Sequence, residues 1–273
     1  MNEILELTQE QKEEFDELYS NVTTSGGKIF TDDAQDILDE INDKQIMVQG
    51  DCLVVSKQIP DNSVDLILTD PPYNIARKSN FESMGRSSID FGEWDHDADI
   101  LSWIDDASRV LKPTGTIIIF NDWHNLGDIS KKLNECGLIE KDIFRWIKAN
   151  PMPRNRDRRY ITDFEMAIVA VGKKKWTFNR QDDKYERPEF RCPIVAGKEK
   201  FHPTQKPVQL MEHLLKIHSN ENDIVLDPFA GSGSTGVACA NLNRRFLGIE
   251  LDKKYFKTAK ERIESVQKEN INS

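Results

Sequence analysis

Short apolar runs rich in β-branched residues alternate with amphipathic segments over most of this chain, and few folds accept that order. The runs are Gln45–Val48, Val64–Thr69, Thr116–Phe120, Phe144–Ile147, Met166–Val171, Ile224–Leu226 and Phe246–Ile249. Helical periodicity marks Asp99–Leu111, closed by Lys112-Pro113-Thr114-Gly115, then Leu126–Cys136, Pro207–His218, Ser234–Leu242 and Lys253–Lys268. Strands apolar along their whole length need cover on both faces, and helices between them supply it. The pattern predicts an α/β fold with a mostly parallel, doubly wound, Rossmann-like sheet. Ligands in such sheets sit beyond the carboxyl ends of the strands.

The chain has 273 residues, enough for one large α/β domain with appendages. Its net charge of −10 is unevenly spread. Residues 1–50 hold 3 Lys+Arg against 13 Asp+Glu, which accounts for the whole excess, whereas residues 141–200 hold 16 against 9. The expected organisation is an acidic helical extension over 1–44, a first half of the main domain over 45–150, a basic insert over 151–200 and a second half over 201–273. Leu5–Tyr19 and Thr31–Ile41 read as the extension's two helices, with Thr31 as an N-cap. A solvated charged face is the default reading of these helices; a homodimer contact or a mimic filling a DNA groove are the alternatives.

No apolar run reaches the roughly 18 residues of a membrane span, and the acidic start is unlike a signal peptide, so a cytoplasmic protein without membrane contact is expected. Cys52, Cys136, Cys192 and Cys239 form no C-x-x-C pair, and His213 and His218 are poorly spaced for one helix face. No metal is expected.

Two turns carry the chemistry. Asp227-Pro228-Phe229-Ala230-Gly231-Ser232-Gly233 follows one strand, and Glu250 closes the next strand 19 residues after Gly231. That arrangement lets a nucleoside-like cofactor approach the backbone while an acid accepts from ribose hydroxyls. A phosphate loop is disfavoured, because no Lys follows in the required place and Asp227 repels phosphate. The other turn, Asp70-Pro71-Pro72-Tyr73, follows another strand. Its prolines fix φ and leave carbonyls free. The Asp70 carboxylate and a proline carbonyl suit the two hydrogens of an exocyclic amine, and Tyr73 offers a face for a flat base. Residues 76–97 are long and polar and read as a loop, a candidate lid.

These turns, with His202-Pro203-Thr204-Gln205-Lys206-Pro207, resemble the DNA amino-methyltransferases that use S-adenosylmethionine, in the β-group order with the catalytic motif first. Phe91-Gly92-Glu93-Trp94-Asp95 and Trp146–Pro151 are similar to further blocks of that family, and the resemblance spans roughly 45–265. It implies that Asp70, Pro71, Pro72 and Tyr73 are catalytic, with Asp70 gripping the amine and also touching the cofactor. Asp51 and Cys52 would meet the cofactor's adenine, and Asp227, Phe229, Gly231 and Gly233 would line it. Glu250 would hold its ribose, and His202, Thr204 and Lys206 would reach its methionine end, with Lys206 on the carboxylate. Aspartate at the head of the Pro-Pro-Tyr turn is commoner in adenine-N6 enzymes and serine in cytosine-N4 enzymes, so the resemblance leans to adenine, flipped from the duplex.

DNA is the implied partner. Arg154, Arg156, Arg158 and Arg159, together with Lys173, Lys174 and Lys175, are the candidate contacts. Cytosine-C5 chemistry is disfavoured, since Arg191-Cys192-Pro193 reverses the Pro-Cys order of that nucleophile. A catalytically silent DNA-binding protein and a methyltransferase acting on protein or small molecules share the fold as alternatives.

Overall fold

The computed structural model describes residues 23–24, 45–73, 101–153, 157–181, 183–197, 200–202 and 204–271. The two acidic helices expected over 5–41, the 76–97 loop, Arg154 and Arg156 lie outside the described residues. In chain order the elements are β1 (Thr23–Thr24), β2 (Gln45–Gln49), α1 (Cys52–Val55) with a 3₁₀ turn at Ser56–Gln58, β3 (Val64–Thr69), α2 (Trp103–Val110), β4 (Leu111–Asn121), α3 (Leu126–Glu135), β5 (Ile139–Lys148), β6 (Phe164–Val171), β7 (Glu189–Cys192), α4 (Val208–His218), β8 (Ile224–Asp227), α5 (Ser234–Asn241), β9 (Arg245–Glu250) and α6 (Lys253–Ile271).

They build one sheet in the order β1-β2-β9-β8-β3-β4-β6-β5-β7. Strands β2, β9, β8, β3 and β4 are mutually parallel neighbours, β6 runs against both β4 and β5, and β7 is parallel to β5. The late strands β8 and β9 fill the space between β2 and β3, so the two halves of the chain meet along β8 and β3.

Both faces are buried, and the period of two shows why. Ile67, Ile117, Ile119, Leu226 and Leu247 join a core closed by Trp103, Ile104, Ile129 and Leu133 of α2 and α3. Their neighbours Leu66, Leu68, Ile118, Phe120 and Phe246 join a second core under Leu210, Leu214, Val237, Ala259 and Ile263 of α4, α5 and α6. Each such side chain removed from water contributes about 1.5–3 kcal/mol, which no one-sided sheet would collect twice. A one-residue slip would exchange the two faces, so register is tightly specified.

Two local expectations are corrected. Lys112-Pro113-Thr114-Gly115 is not a loop after α2 but the start of β4, whose pairing with β3 shifts between Val64 and Leu66. That irregularity is the kind of place where a sheet tolerates proline. Strand β7, whose sequence Glu-Phe-Arg-Cys lacks an apolar run, was not expected. The stretch 151–200 contributes β6, paired on both sides, as well as surface segments.

Candidate active site

Beyond the carboxyl ends of β2, β3, β8 and β9 lies a cavity of about 730 Å³, lined by Gly50–Leu53, Asp70–Tyr73, Asp227–Ser232 and Glu250–Lys253, with Trp103, Glu165, His202, Thr204 and Lys206. All four strands end here because the parallel register aligns Gln49 with Glu250, Asp227 with Gly248, and Leu226 with Ile67.

The glycine side is built around carboxylates. Asp227 is buried and accepts from the Thr69 hydroxyl at 2.8 Å, the Thr235 hydroxyl at 2.7 Å and the Phe229 N–H at 3.2 Å. Burial pushes it up to about 6 against the pull of those donors. Its oxygens are therefore spent stitching the end of β3 to the turn after β8, and it acts on a ligand through the shape of that turn. Gly231 has φ +52, and a Cβ there would meet open space; its N–H donates to Glu250 Oε2 at 2.7 Å. Gly233 has φ +79, and a Cβ would sit 2.8 Å from that of Ala259, so only glycine lets α6 close against the turn. Glu250 also accepts from the Asp252 N–H at 2.8 Å, and burial pushes it up to about 7.

Asp51 caps α1, its Oδ1 accepting from the Leu53 N–H at 2.8 Å. Burial pushes the neighbouring Cys52 thiol up to about 12, which leaves it an inert wall. Phe229 meets Trp103 edge-on at 5.2 Å between ring centroids, and Trp103 is a lining residue that the sequence reading did not single out. His202 contacts the Thr204 hydroxyl through Nδ1 at 3.0 Å and meets Tyr255 edge-on at 4.2 Å. Burial and then Lys206 bring the His202 imidazole down to about 4, so it is neutral.

Opposite stands a buried charge cluster. The Lys206 ammonium bonds to Asp70 Oδ2, lies 3.0 Å from Glu165 Oε2 and donates to the Tyr73 hydroxyl oxygen at 3.3 Å. The Tyr73 O–H donates to Asp70 Oδ1 at 2.7 Å, and Lys148 meets Glu165 Oε1 at 2.8 Å. Asn125 fixes the turn from the far side, its Nδ2 donating to the Tyr73 carbonyl at 2.6 Å and to Asn121 Oδ1 at 2.8 Å. Burial raises Asp70 above the usual carboxylate range although Lys206 pulls it down. Glu165 is also penalised by burial, but Lys206 and Lys148 outweigh this and hold it at about 2. Lys206 is raised by Asp70 and Glu165 against its own burial. One cation thus stands between two carboxylates of the protein, Asp70 and Glu165.

Glu165 and Lys148 are cluster members that the sequence reading did not single out. The available signal was an acid at the head of an otherwise apolar strand, but its partner lies far along the chain.

The basic residues divide. Residues 149–163 join β5 to β6 at the cavity end of the sheet, so the exposed Arg158 and Arg159 are on that side. Lys173, Lys174 and Lys175 follow the other end of β6, where Val171 pairs with Thr116 and Ile139. At about 3.3 Å per residue, that strand sets them roughly 20 Å from the cavity end, and the structure does not bring them to the site.

Among the described residues no group of three or more His, Cys, Asp or Glu side chains is placed to hold a metal ion, and no helix is long and apolar enough to cross a membrane.

A doubly wound sheet with a glycine turn and an acid on one side of its cavity, and an Asp-Pro-Pro-Tyr turn on the other, defines the Rossmann-like methyltransferase class. The chain belongs to the N6/N4 DNA methylase family, whose profile matches residues 64–261, and it is a DNA methyltransferase. It is 33% identical to the type II methyltransferase M2.MboI of Moraxella bovis over 247 residues, covering 83% of this chain and 90% of that protein. It is 34% identical to the type II methyltransferase M2.LlaDCHI of Lactococcus lactis subsp. cremoris over 240 residues, 80% of this chain and 88% of that one. The crystal structure of the M1.HpyAVI–SAM complex matches with a TM-score of 0.65 at 42% identity, covering 80% of this chain and 98% of the other. The cytosine-N4-specific PvuII DNA methyltransferase, at 19% identity and a TM-score of 0.64, shares the fold.

Proposed function

We propose that this chain transfers the methyl group of S-adenosylmethionine to the exocyclic N6 amine of a flipped adenine in DNA. The observation that carries the reading is Asp70, a cavity-lining carboxylate at the end of β3, aimed by Tyr73 and Lys206 and followed by two lining prolines, which carry no N–H donor.

The residues present fit the methyl donor. The open space above Gly231 admits a nucleoside, and Glu250 already turns its carboxylate to that turn. The buried Ser234 hydroxyl in the same wall has no protein partner. Glu250 would hold the ribose, Asp51 and Cys52 the adenine edge, Phe229 the ring face, and His202 with Thr204 the methionine end. When bound, S-adenosylmethionine supplies an electrophilic methyl group on a sulfonium.

The protein's own residues position and deprotonate the target. An exocyclic amine is a poor nucleophile because its lone pair is delocalised into the ring. Asp70 and the Pro71 or Pro72 carbonyl accept its two hydrogens, which localises that pair, and Tyr73 stacks on the base. Transfer would form the N–C bond as the methyl–sulfur bond breaks, its electron pair staying on sulfur as a neutral thioether, and the proton shed by the nitrogen would pass to the Asp70 oxygen that held it. The raised Asp70 is suited to that task.

Flipping costs a few kcal/mol in stacking and pairing, which contacts from the 149–163 loop, with Arg158 and Arg159, would offset. Arg154 and Arg156 stay in this assignment from their place in the sequence, next to Arg158 and Arg159. The likeness to type II methyltransferases supports a role in restriction–modification. Incubation with unmethylated DNA and labelled donor, followed by nucleoside mass spectrometry, tests the base: N6-methyladenine supports the assignment, and N4-methylcytosine replaces it.

A further inference from the structure

The cluster poses a problem for Asp70. In the described state its carboxylate is occupied by Lys206 and Tyr73, yet to grip an amine and accept a proton it must loosen from Lys206. Lys206 has a side chain only 4% exposed, and a buried ammonium stripped of its counter-ion is strongly disfavoured. A second acid must therefore stand by.

We infer that Glu165 is the positioning residue for this step: it receives Lys206 when Asp70 turns to the base, so that the ammonium stays charged and the aspartate is released. Three observations support this, all resting on the role given to Asp70 above. Glu165 Oε2 already lies 3.0 Å from the Lys206 ammonium, which also bonds to Asp70 and Tyr73, so a buried acceptor faces the cation within reach of it. The other oxygen, Oε1, is anchored by Lys148 at 2.8 Å, which fixes the carboxylate in place. Glu165 also heads β6, where pairing with Trp146 of β5 gives it a rigid base. Lys206 and Lys148 together keep Glu165 ionised against its burial, while burial raises Asp70, the partner that must change state.

The charged and titratable groups around Glu165 are Asp70 and Tyr73 after β3, Lys148 at the end of β5, Lys206 before α4 and, acting on Tyr73, Asp122 after β4. Glu165 raises both Asp70 and Lys206 through its charge, so its removal lowers both.

The test is Glu165→Gln in the full chain, with single-turnover methylation of DNA measured against pH on whichever amine the wild type modifies, and with donor binding measured alongside. The expected result is unchanged donor affinity, a rate at least about tenfold lower, and acid and alkaline limbs both moved to lower pH by on the order of one unit, with Glu165→Asp recovering part of the rate. A rate loss with unmoved limbs and no recovery in Glu165→Asp would show a merely structural residue and overturn the inference, as would an undiminished rate. Wild-type methylation of cytosine would overturn only the adenine assignment, since the same variants then test Glu165 on that base. No methylation of any base would end both.

Discussion

Replacing Lys206 by methionine removes the cation at the centre of the cluster while keeping most of its apolar volume. The side chains of Asp70 and Glu165 are 19% and 25% exposed and that of Lys206 is 4% exposed, so the pair is buried enough to matter. Breaking a buried pair by removing one partner costs about 3–5 kcal/mol, and the lower end applies because Glu165 keeps Lys148 and Asp70 can take up a proton. At roughly 2–4 °C per kcal/mol for a domain of this size, Tm should fall by about 6–12 °C near pH 8. Asp70 is already raised by burial, and loss of Lys206 raises it further. A carboxyl raised on folding binds more protons folded than unfolded, so its favourable contribution is present at low pH and fades as pH climbs from the unfolded toward the folded value. The gap between Lys206→Met and wild type should therefore shrink near pH 5.5 and widen near pH 8.5. Thermal unfolding at both pH values measures it; an equal gap at both, or none, would refute the coupling of Lys206 to a buried Asp70.

Glu250, raised to about 7, is mainly protonated at pH 6 and ionised at pH 8, and ribose hydroxyls donate best to the ionised form. Donor affinity measured by calorimetry should tighten up to about tenfold over that range, and Glu250→Gln should bind more weakly with a flat response. For DNA, Arg158→Ala with Arg159→Ala should weaken binding and lower the slope of log K against log salt by about two, whereas alanine at Lys173, Lys174 and Lys175 should leave both unchanged; fluorescence anisotropy across a salt series distinguishes the two sets.

The sheet was legible because its physics is local. Val64–Thr69 coincides with β3 and Ile224–Leu226 lies within β8, since a strand buried on both faces must be apolar throughout. Strand β7 escaped because Glu-Phe-Arg-Cys at an edge is not required to be apolar, and Pro113 concealed the start of β4 because proline ordinarily marks a break. The lining residues Asp51, Asp70, Glu250 and the glycine turn were visible from their places after strands. Their partners were not. Nothing local tells that Asp227 spends both oxygens on Thr69, Thr235 and Phe229, or that Lys206 lies between Asp70 and Glu165. Charge counting grouped Lys173–Lys175 with the arginines, but the direction of β6 sends them to the opposite end of the sheet.

Asp70→Ala, assayed by nucleoside mass spectrometry with donor binding measured in parallel, bears most directly on the chemistry. Lys206 keeps Glu165 as a counter-ion in this variant, so the fold and the cofactor side should persist. Wild type should yield N6-methyladenine, and the variant should bind the donor nearly as well yet show no turnover. Retention of most activity without that carboxylate would contradict the account.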